Sequence, residues 1–417
     1  MMAVAAVMDD DQSVAAPADV MTHGRRVAIF VLLLIAEFLY GWAWNTVDVL
    51  RPFLRDSLHL SLLQAGSMYS AQGSGALVGA IVIGQLADRF GRRVMLSILI
   101  LGYGVMLLAG AIVQNYPELL LQRFLLGFFM GASFPVGVGI YANLFAARVR
   151  GRLAGTLNAA FSASILSLGL AMGWIGHSDW RILFYAGGTP SILIAGLALV
   201  LIPKHSAVDR HHVSSGHLPI AELFHRDVRK QTLLLATMTG LNFFGYQAFS
   251  GWLTTYLTGE RGLDAGAAGS LVAWSFAGNI IGGFIWGYAA DRLGRRFNAL
   301  GFVIASVAIA VFLALPTNII LLRAIGFIYG GALCSSVIWG PWLAELYPPH
   351  LRSTAASIFN WGRVISFFAP LITASIAGAF GLTAAMSTSC IAFGLAAVIW
   401  FSQRETLPEL QHRTKLI

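Results

Sequence analysis

Gly84-Gln85-Leu86-Ala87-Asp88-Arg89-Phe90-Gly91-Arg92-Arg93 and Gly287-Tyr288-Ala289-Ala290-Asp291-Arg292-Leu293-Gly294-Arg295-Arg296 are one pattern, G-x-x-x-D-R-x-G-R-R, met twice at a separation of 203 residues. Each copy closes a long apolar run. Each is preceded by a G-x-x-x-G pair, Gly75 and Gly79 before the first and Gly278 and Gly282 before the second, again 203 residues apart. A looser match sets Arg123 and Gly127 against Arg323 and Gly326, and Asn143 and Arg150 against Glu345 and Arg352. Repeats of this size in parallel orientation suit two helix bundles related by an axis along a membrane normal.

Working outward from these loops, the 417 residues are 57% hydrophobic and 11% charged. Soluble chains carry about twice that charged fraction. A membrane span needs about 20 mostly apolar residues, and the sequence predicts twelve, near 26–48, 63–86, 94–113, 118–145, 153–175, 182–202, 231–256, 267–289, 297–315, 318–344, 353–378 and 381–402. The expected organisation is a disordered cytoplasmic tail over 1–24, a six-helix bundle over 25–202, a cytoplasmic linker over 203–230, a second six-helix bundle over 231–403 and a cytoplasmic tail over 404–417. The fold class is an all-α membrane protein with twelve transmembrane helices in two pseudo-symmetric bundles.

The net charge of +8 is placed as a topology signal and not as a nucleic-acid surface. Arg25, Arg26, Arg89, Arg92, Arg93, Arg148, Arg150, Arg152, the five cations of the middle loop, Arg292, Arg295, Arg296, Arg352 and the C-terminal tail fall on one side. Arg51, Arg55, Arg181 and Arg261 fall on the other. Positive loops stay cytoplasmic, so both termini are expected inside, with a bacterial inner membrane as the site. Cys334 and Cys390 lie in apolar runs and read as packed thiols. No G-x-x-x-x-G-K-S/T loop is present, and Gly73-Ser-Gly75 sits inside an apolar helix, so neither a nucleotide-driven pump nor a dinucleotide enzyme is expected. His205, His211, His212, His217 and His225 read as a solvated linker. No cofactor and no metal is expected.

The doubled loop resembles the signature of the major facilitator superfamily, and the resemblance covers nearly the whole chain. It implies a gate: Gly84 and Gly287 letting helices approach closely, and Asp88, Arg89, Arg92, Asp291, Arg292, Arg295, Glu345 and Arg352 exchanging charge-assisted bonds as the gate opens. The plainer alternative is that these residues only set topology and a tight turn. In that superfamily an acid at the cytoplasmic end of span four or ten joins the network. Glu345 stands there in the second half, and Asn143 in the first. Leu119-x-x-x-Arg123-x-x-x-Gly127 resembles a second superfamily motif, linked to proton coupling; the alternative is an arginine snorkelling to the membrane surface.

Charges within the spans carry the functional reading. Glu37 lies about 11 residues into span one, near mid-bilayer at about 1.5 Å per residue. Glu37, Tyr40, Gly41, Trp44 and Asp48 form one helical stripe, bordered by Asn45. Burial disfavours the charged form of a carboxyl, so Glu37 is the candidate proton site, against a permanently hydrogen-bonded structural role. Asp48, nearer the outer end, is expected to be solvated. Arg363 lies about ten residues into span eleven and presents a fork of donors that matches a carboxylate. With Asn360 and Trp361 it suggests an organic-anion site, or else an internal ion pair, perhaps-with-Glu37 pairing being the alternative. Asn242, Tyr246 and Gln247 of span seven are candidates for the cavity wall.

Glu345-Leu-Tyr-Pro-Pro-His-Leu-Arg352 with Asn360-x-Gly362-Arg363 and Pro370 resembles proton symporters for aromatic acids, sialate and other carboxylates. Asn45-x-x-Asp48 resembles the D-G-x-D pattern of the aromatic-acid branch with its first acid replaced. The resulting expectation is a monomer that takes up a small organic anion with protons. The rival is a proton-driven exporter of amphipathic drugs, and the rival of another class is a non-transporting membrane sensor.

Overall fold

The structure is a computed structural model that describes residues 22–145, 147–175, 179–203, 221–348, 351 and 358–407. Among the described residues all regular structure is helical. The twelve spans are present as two sets of six. They are His23–Val49, Leu62–Phe90, Arg92–Gly110, the pair Tyr116–Met130 and Ser133–Leu144, Ala147–Ile175, Arg181–Leu201, Arg229–Phe249, Ala265–Leu293, Ala299–Ala314, the series Ile319–Leu333, Cys334–Ile338 and Trp339–Glu345, Ile358–Phe380 and Leu382–Ser402. Nine helices among the described residues are long and apolar enough to cross a membrane. Span seven is less apolar because it carries Arg229, Lys230, Asn242, Tyr246 and Gln247.

Helix ends are set by local chemistry. Asn115 and Asp264 accept hydrogen bonds from the backbone N–H groups of Glu118 and Ala267 at 3.0 and 2.8 Å, and Asn318 accepts from Ile320 and Leu321. Such caps satisfy donors that the first helical turn leaves open. In the doubled loop the turn glycines Gly91 and Gly294 have φ of 90° and 100°, a region that side chains with a Cβ disfavour. The G in D-R-x-G is therefore a conformational requirement in both copies.

The chain divides into two compact units, one drawn from 1–46, 71–165 and 179–215 and the other from 47–70, 166–178 and 216–417. In the first, a Cβ at Gly75 or Gly79 would collide with the carbonyl of Phe124 or Phe128, and one at Gly127 with the carbonyl of Gln72. In the second, Gly278 and Gly282 meet the carbonyls of Phe327 and Gly331, and Gly330 that of Ser275. Every one of these contacts is displaced by 203 residues, so spans two and four repeat as spans eight and ten. This register overturns the looser pairing of Arg123 with Arg323. Gly127 corresponds to Gly330, which sets Arg123 against Gly326.

Span four breaks after Met130 and resumes at Ser133, where Pro135 has no backbone N–H to continue the ladder. Span ten tightens into a 3₁₀ turn over Cys334–Ile338 and resumes at Trp339. Gly131 and Cys334, at the two breaks, are again 203 residues apart.

Gly287 corrects one expectation. A Cβ there would meet nothing within 4 Å, so it does not serve a close helix approach. That role belongs to Gly278 and Gly282.

Candidate functional site

Within the first unit, Glu37 is half-buried and lines a recess of about 390 Å³ of empty space together with Tyr40, Leu96, Ile100, Tyr103 and Ser133. Glu37 and Tyr40 are brought there by three-residue helical spacing on span one, and Tyr103 by span three. The aromatic surface is layered: Tyr40 stacks on Trp44 with centroids 6.1 Å apart, meets Tyr103 edge-on at 6.5 Å and leans on Phe161 at 6.2 Å. The Tyr103 hydroxyl donates to the Ala36 carbonyl at 3.3 Å. Sequence reasoning missed Tyr103; it lies in an apolar run, and only the fold brings it to Glu37.

Asn45 is buried, and its amide donates to the Gly41 carbonyl at 2.8 Å. Arg123 is fully buried. It donates to Thr46 Oγ1 at 2.9 Å and lies 5.4 Å from the Phe184 ring. The snorkelling alternative for Arg123 is thereby overturned. Arg323 instead donates twice to Ser270 Oγ, at 3.1 and 2.9 Å.

Within the second unit, Arg363 is exposed and lies 5.6 Å from the centre of the Phe243 ring. Its position follows from Gly362, which packs directly on the Thr239–Gly240 backbone of span seven. Asn242 and Gln247 are buried and Tyr246 is half-buried. Gln247 donates to Asp48 Oδ1 at 3.0 Å. Asp48 corrects a second expectation: it is 7% exposed and pairs with Arg51 at 2.6 Å. Arg51, counted as a topology-setting loop cation, is fully buried.

The second motif copy assembles a polar cluster at its loop. Arg295 bridges Asp291 at 2.7 Å and Glu345 at 3.4 Å. Arg292 stands apart, 5.5 Å from the Tyr288 ring. The C-terminal segment completes the cluster, a part that sequence reasoning missed. Glu405 accepts the backbone N–H groups of Arg295 and Arg296 at 3.0 Å each. Thr406 donates to Glu345 Oε2 at 2.5 Å, and Arg404 to the Leu346 carbonyl at 2.8 Å. The second arginine of each motif has a matching role: Arg93 donates to the Leu199 carbonyl of span six, and Arg296 to the Phe401 carbonyl of span twelve. Arg92 is half-buried. The side chains at positions 84, 88, 89, 143, 360 and 361, and all of Arg352, lie outside the described residues, as do residues 1–21, 204–220 and 408–417.

Burial alone would push the Glu405 carboxyl up, but the backbone N–H groups of Arg296, Leu407, Arg295 and Thr406 outweigh it and hold it below the ordinary value of 4.5. A depressed folded value gives stability that is present above the ordinary carboxylate range and lost as pH falls through the lower value. Glu405→Gln is expected to flatten that acid-side loss and to cost about 1 kcal/mol at neutral pH, given partial exposure. Thermal unfolding of the purified protein across the acid range checks both.

These features meet in one class of protein, and the chain belongs to the Major Facilitator Superfamily, which it matches over residues 33–265 and 235–416. It is a multi-pass membrane transporter and not an enzyme. It is 25% identical over 408 residues to a cis,cis-muconate transport protein of Acinetobacter baylyi, covering 93% of this chain and 97% of that one. It is 28% identical over 399 residues to a 3-(3-hydroxy-phenyl)propionate transporter of Escherichia coli, covering 93% and 96%. The solved structure of a D-xylose-proton symporter superposes with a TM-score of 0.72 at 18% identity, over 92% of this chain and 98% of that chain.

Proposed function

We propose that the chain takes up a small organic anion, an aromatic acid or related carboxylate, together with protons, by alternating access. The observation that carries this reading is Arg363, a permanent cation within an apolar span, exposed and set beside the ring of Phe243. A guanidinium fork holds a carboxylate by two parallel hydrogen bonds, and an aromatic ring at its side suits an aromatic or unsaturated acid. Glu37 supplies the coupling. A carboxylate at Glu37 repels an anionic substrate, and a protonated Glu37 does not, so proton and anion load together. The two relatives named for muconate and hydroxyphenylpropionate support this substrate class.

In this reading the bundles 25–202 and 231–403 are the moving bodies and 203–230 is the linker between them. The protein acts as a monomer in the bacterial inner membrane, with both termini cytoplasmic and the motif loops on the inner face. Asp291, Arg295, Glu345 and the C-terminal segment then form the inner gate of the second half.

The test is uptake of radiolabelled cis,cis-muconate and 4-hydroxybenzoate into proteoliposomes with an alkaline interior. Accumulation that collapses when the pH gradient is dissipated is expected. Absence of uptake of any carboxylate, with gradient-driven extrusion of organic cations, overturns the reading in favour of drug export.

A further inference from the structure

The end of span one opposite the motif loop carries a cluster that the substrate and proton sites do not use. Span one ends at Val49, and a short helix begins at Arg51 with Pro52 in its first turn. Asp48 and Arg51 are three residues apart and fall on one face. Their ion pair of 2.6 Å is almost wholly out of water. Burying two charges costs several kcal/mol per ion unless the remaining hydrogen-bonding capacity is met.

Here the neighbouring end of span seven meets it. Arg51 Nη1 donates to the Gly251 carbonyl, and its guanidinium lies 4.3 Å from the Trp252 ring. Gln247 donates to Asp48 Oδ1 at 3.0 Å, and Thr254 Oγ1 to the Asp48 carbonyl at 2.8 Å. Trp252 in turn donates to Thr373 Oγ1 of span eleven at 2.7 Å. Spans one, seven and eleven are thus tied at one point.

The same end is sealed by backbone contacts. Gly66 of span two packs on the Pro370 carbonyl of span eleven, and Ser70 donates to the Phe367 carbonyl. Gly169 of span five and Gly269 of span eight lie carbonyl to Cα.

A dry ion pair of this kind has two stable conditions, intact or fully hydrated, because separating the partners without water strands a charge. Transport by alternating access requires this end to open and close. We propose that Asp48 and Arg51, capped by Gln247, Gly251, Trp252 and Thr254, form the latch that holds the face opposite the motif loops shut, making Arg51 a gating residue. The proposal rests on alternating access and adds the outer counterpart of the inner cluster at Arg295.

The experiment uses accessibility, which needs no substrate. Ser70→Cys and Thr255→Cys, each in the full chain with Cys334→Ser and Cys390→Ser, report on the seam and on the buried helix after Trp252. The rate of labelling by a membrane-impermeant maleimide is measured from the face opposite the motif loops. The paired change Asp48→Asn with Arg51→Gln leaves no stranded charge and is expected to raise labelling at both reporters about tenfold or more by shifting the open population. Thr254→Val removes one cap and no charge, is expected to give a smaller rise, and serves if the paired variant does not assemble. Labelling rates equal to the parent in both variants overturn the latch. A failed uptake assay would bear on the substrate alone and leave this result standing.

Discussion

Arg363→Gln is expected to lower uptake of a carboxylate substrate by about 100-fold, the equivalent of losing about 3 kcal/mol of charged, two-pronged hydrogen bonding. Gln keeps an amide donor at a similar reach but has neither the charge nor the fork. Arg363→Lys keeps the charge and loses the fork, and is expected to fall between the two, mainly as a raised KM. Initial rates in proteoliposomes over a range of substrate concentrations give both values. The exposed position of Arg363 over Phe243 makes these changes tolerable to the fold. A loss of uptake would then reflect the site and not misassembly. Near-parental uptake in Arg363→Gln would remove this residue from the anion site.

The second large effect is expected at Glu37. A monoanion carried with one proton accumulates about tenfold for each unit of pH gradient, since each unit is about 1.4 kcal/mol. Glu37→Gln is neutral at every pH, as the protonated acid is, so it is expected to exchange substrate yet to accumulate none above equilibrium. Counterflow of labelled substrate in the absence of a gradient, set beside gradient-driven uptake, separates exchange from coupling. Accumulation retained in Glu37→Gln would place the proton elsewhere. The recess beside Glu37 holds Tyr40 and Tyr103, so the exchange reaction also reports whether the walls remain intact.

The spans were legible because a bilayer imposes a length and an apolar composition that no soluble helix needs, and the halves were legible because their motif loops repeat at a fixed separation. What escaped was long-range geometry. Arg51 reads as a wet loop cation when arginines are counted by side, since that count treats every residue between spans as solvated; its burial comes from Gly251 and Trp252, about 200 residues away. Asp48 was placed by depth alone, and depth carries no information about a partner on span seven. Arg123 and Arg323 look alike in sequence, but backbone contacts fix the true register through Gly127 and Gly330. The role of Glu405 was hidden because a carboxylate that binds backbone N–H groups leaves no charge pattern in the sequence. Gly287 was singled out by its motif, although the space around it is open; motif membership and steric need are separate properties.

The paired glycine seams have a mechanical meaning. Where carbonyls of span four rest on Gly75 and Gly79, and those of span ten on Gly278 and Gly282, the two backbones are too close to roll or slide past one another. Each pair of spans is therefore a strut of fixed thickness. Beyond the struts, at Gly131 and again at Cys334, the helical ladder is interrupted, leaving a short terminal piece on each. Bending strain generated at Glu345 has an elastic joint in which to dissipate, and its mirror lies at the same place in the other half.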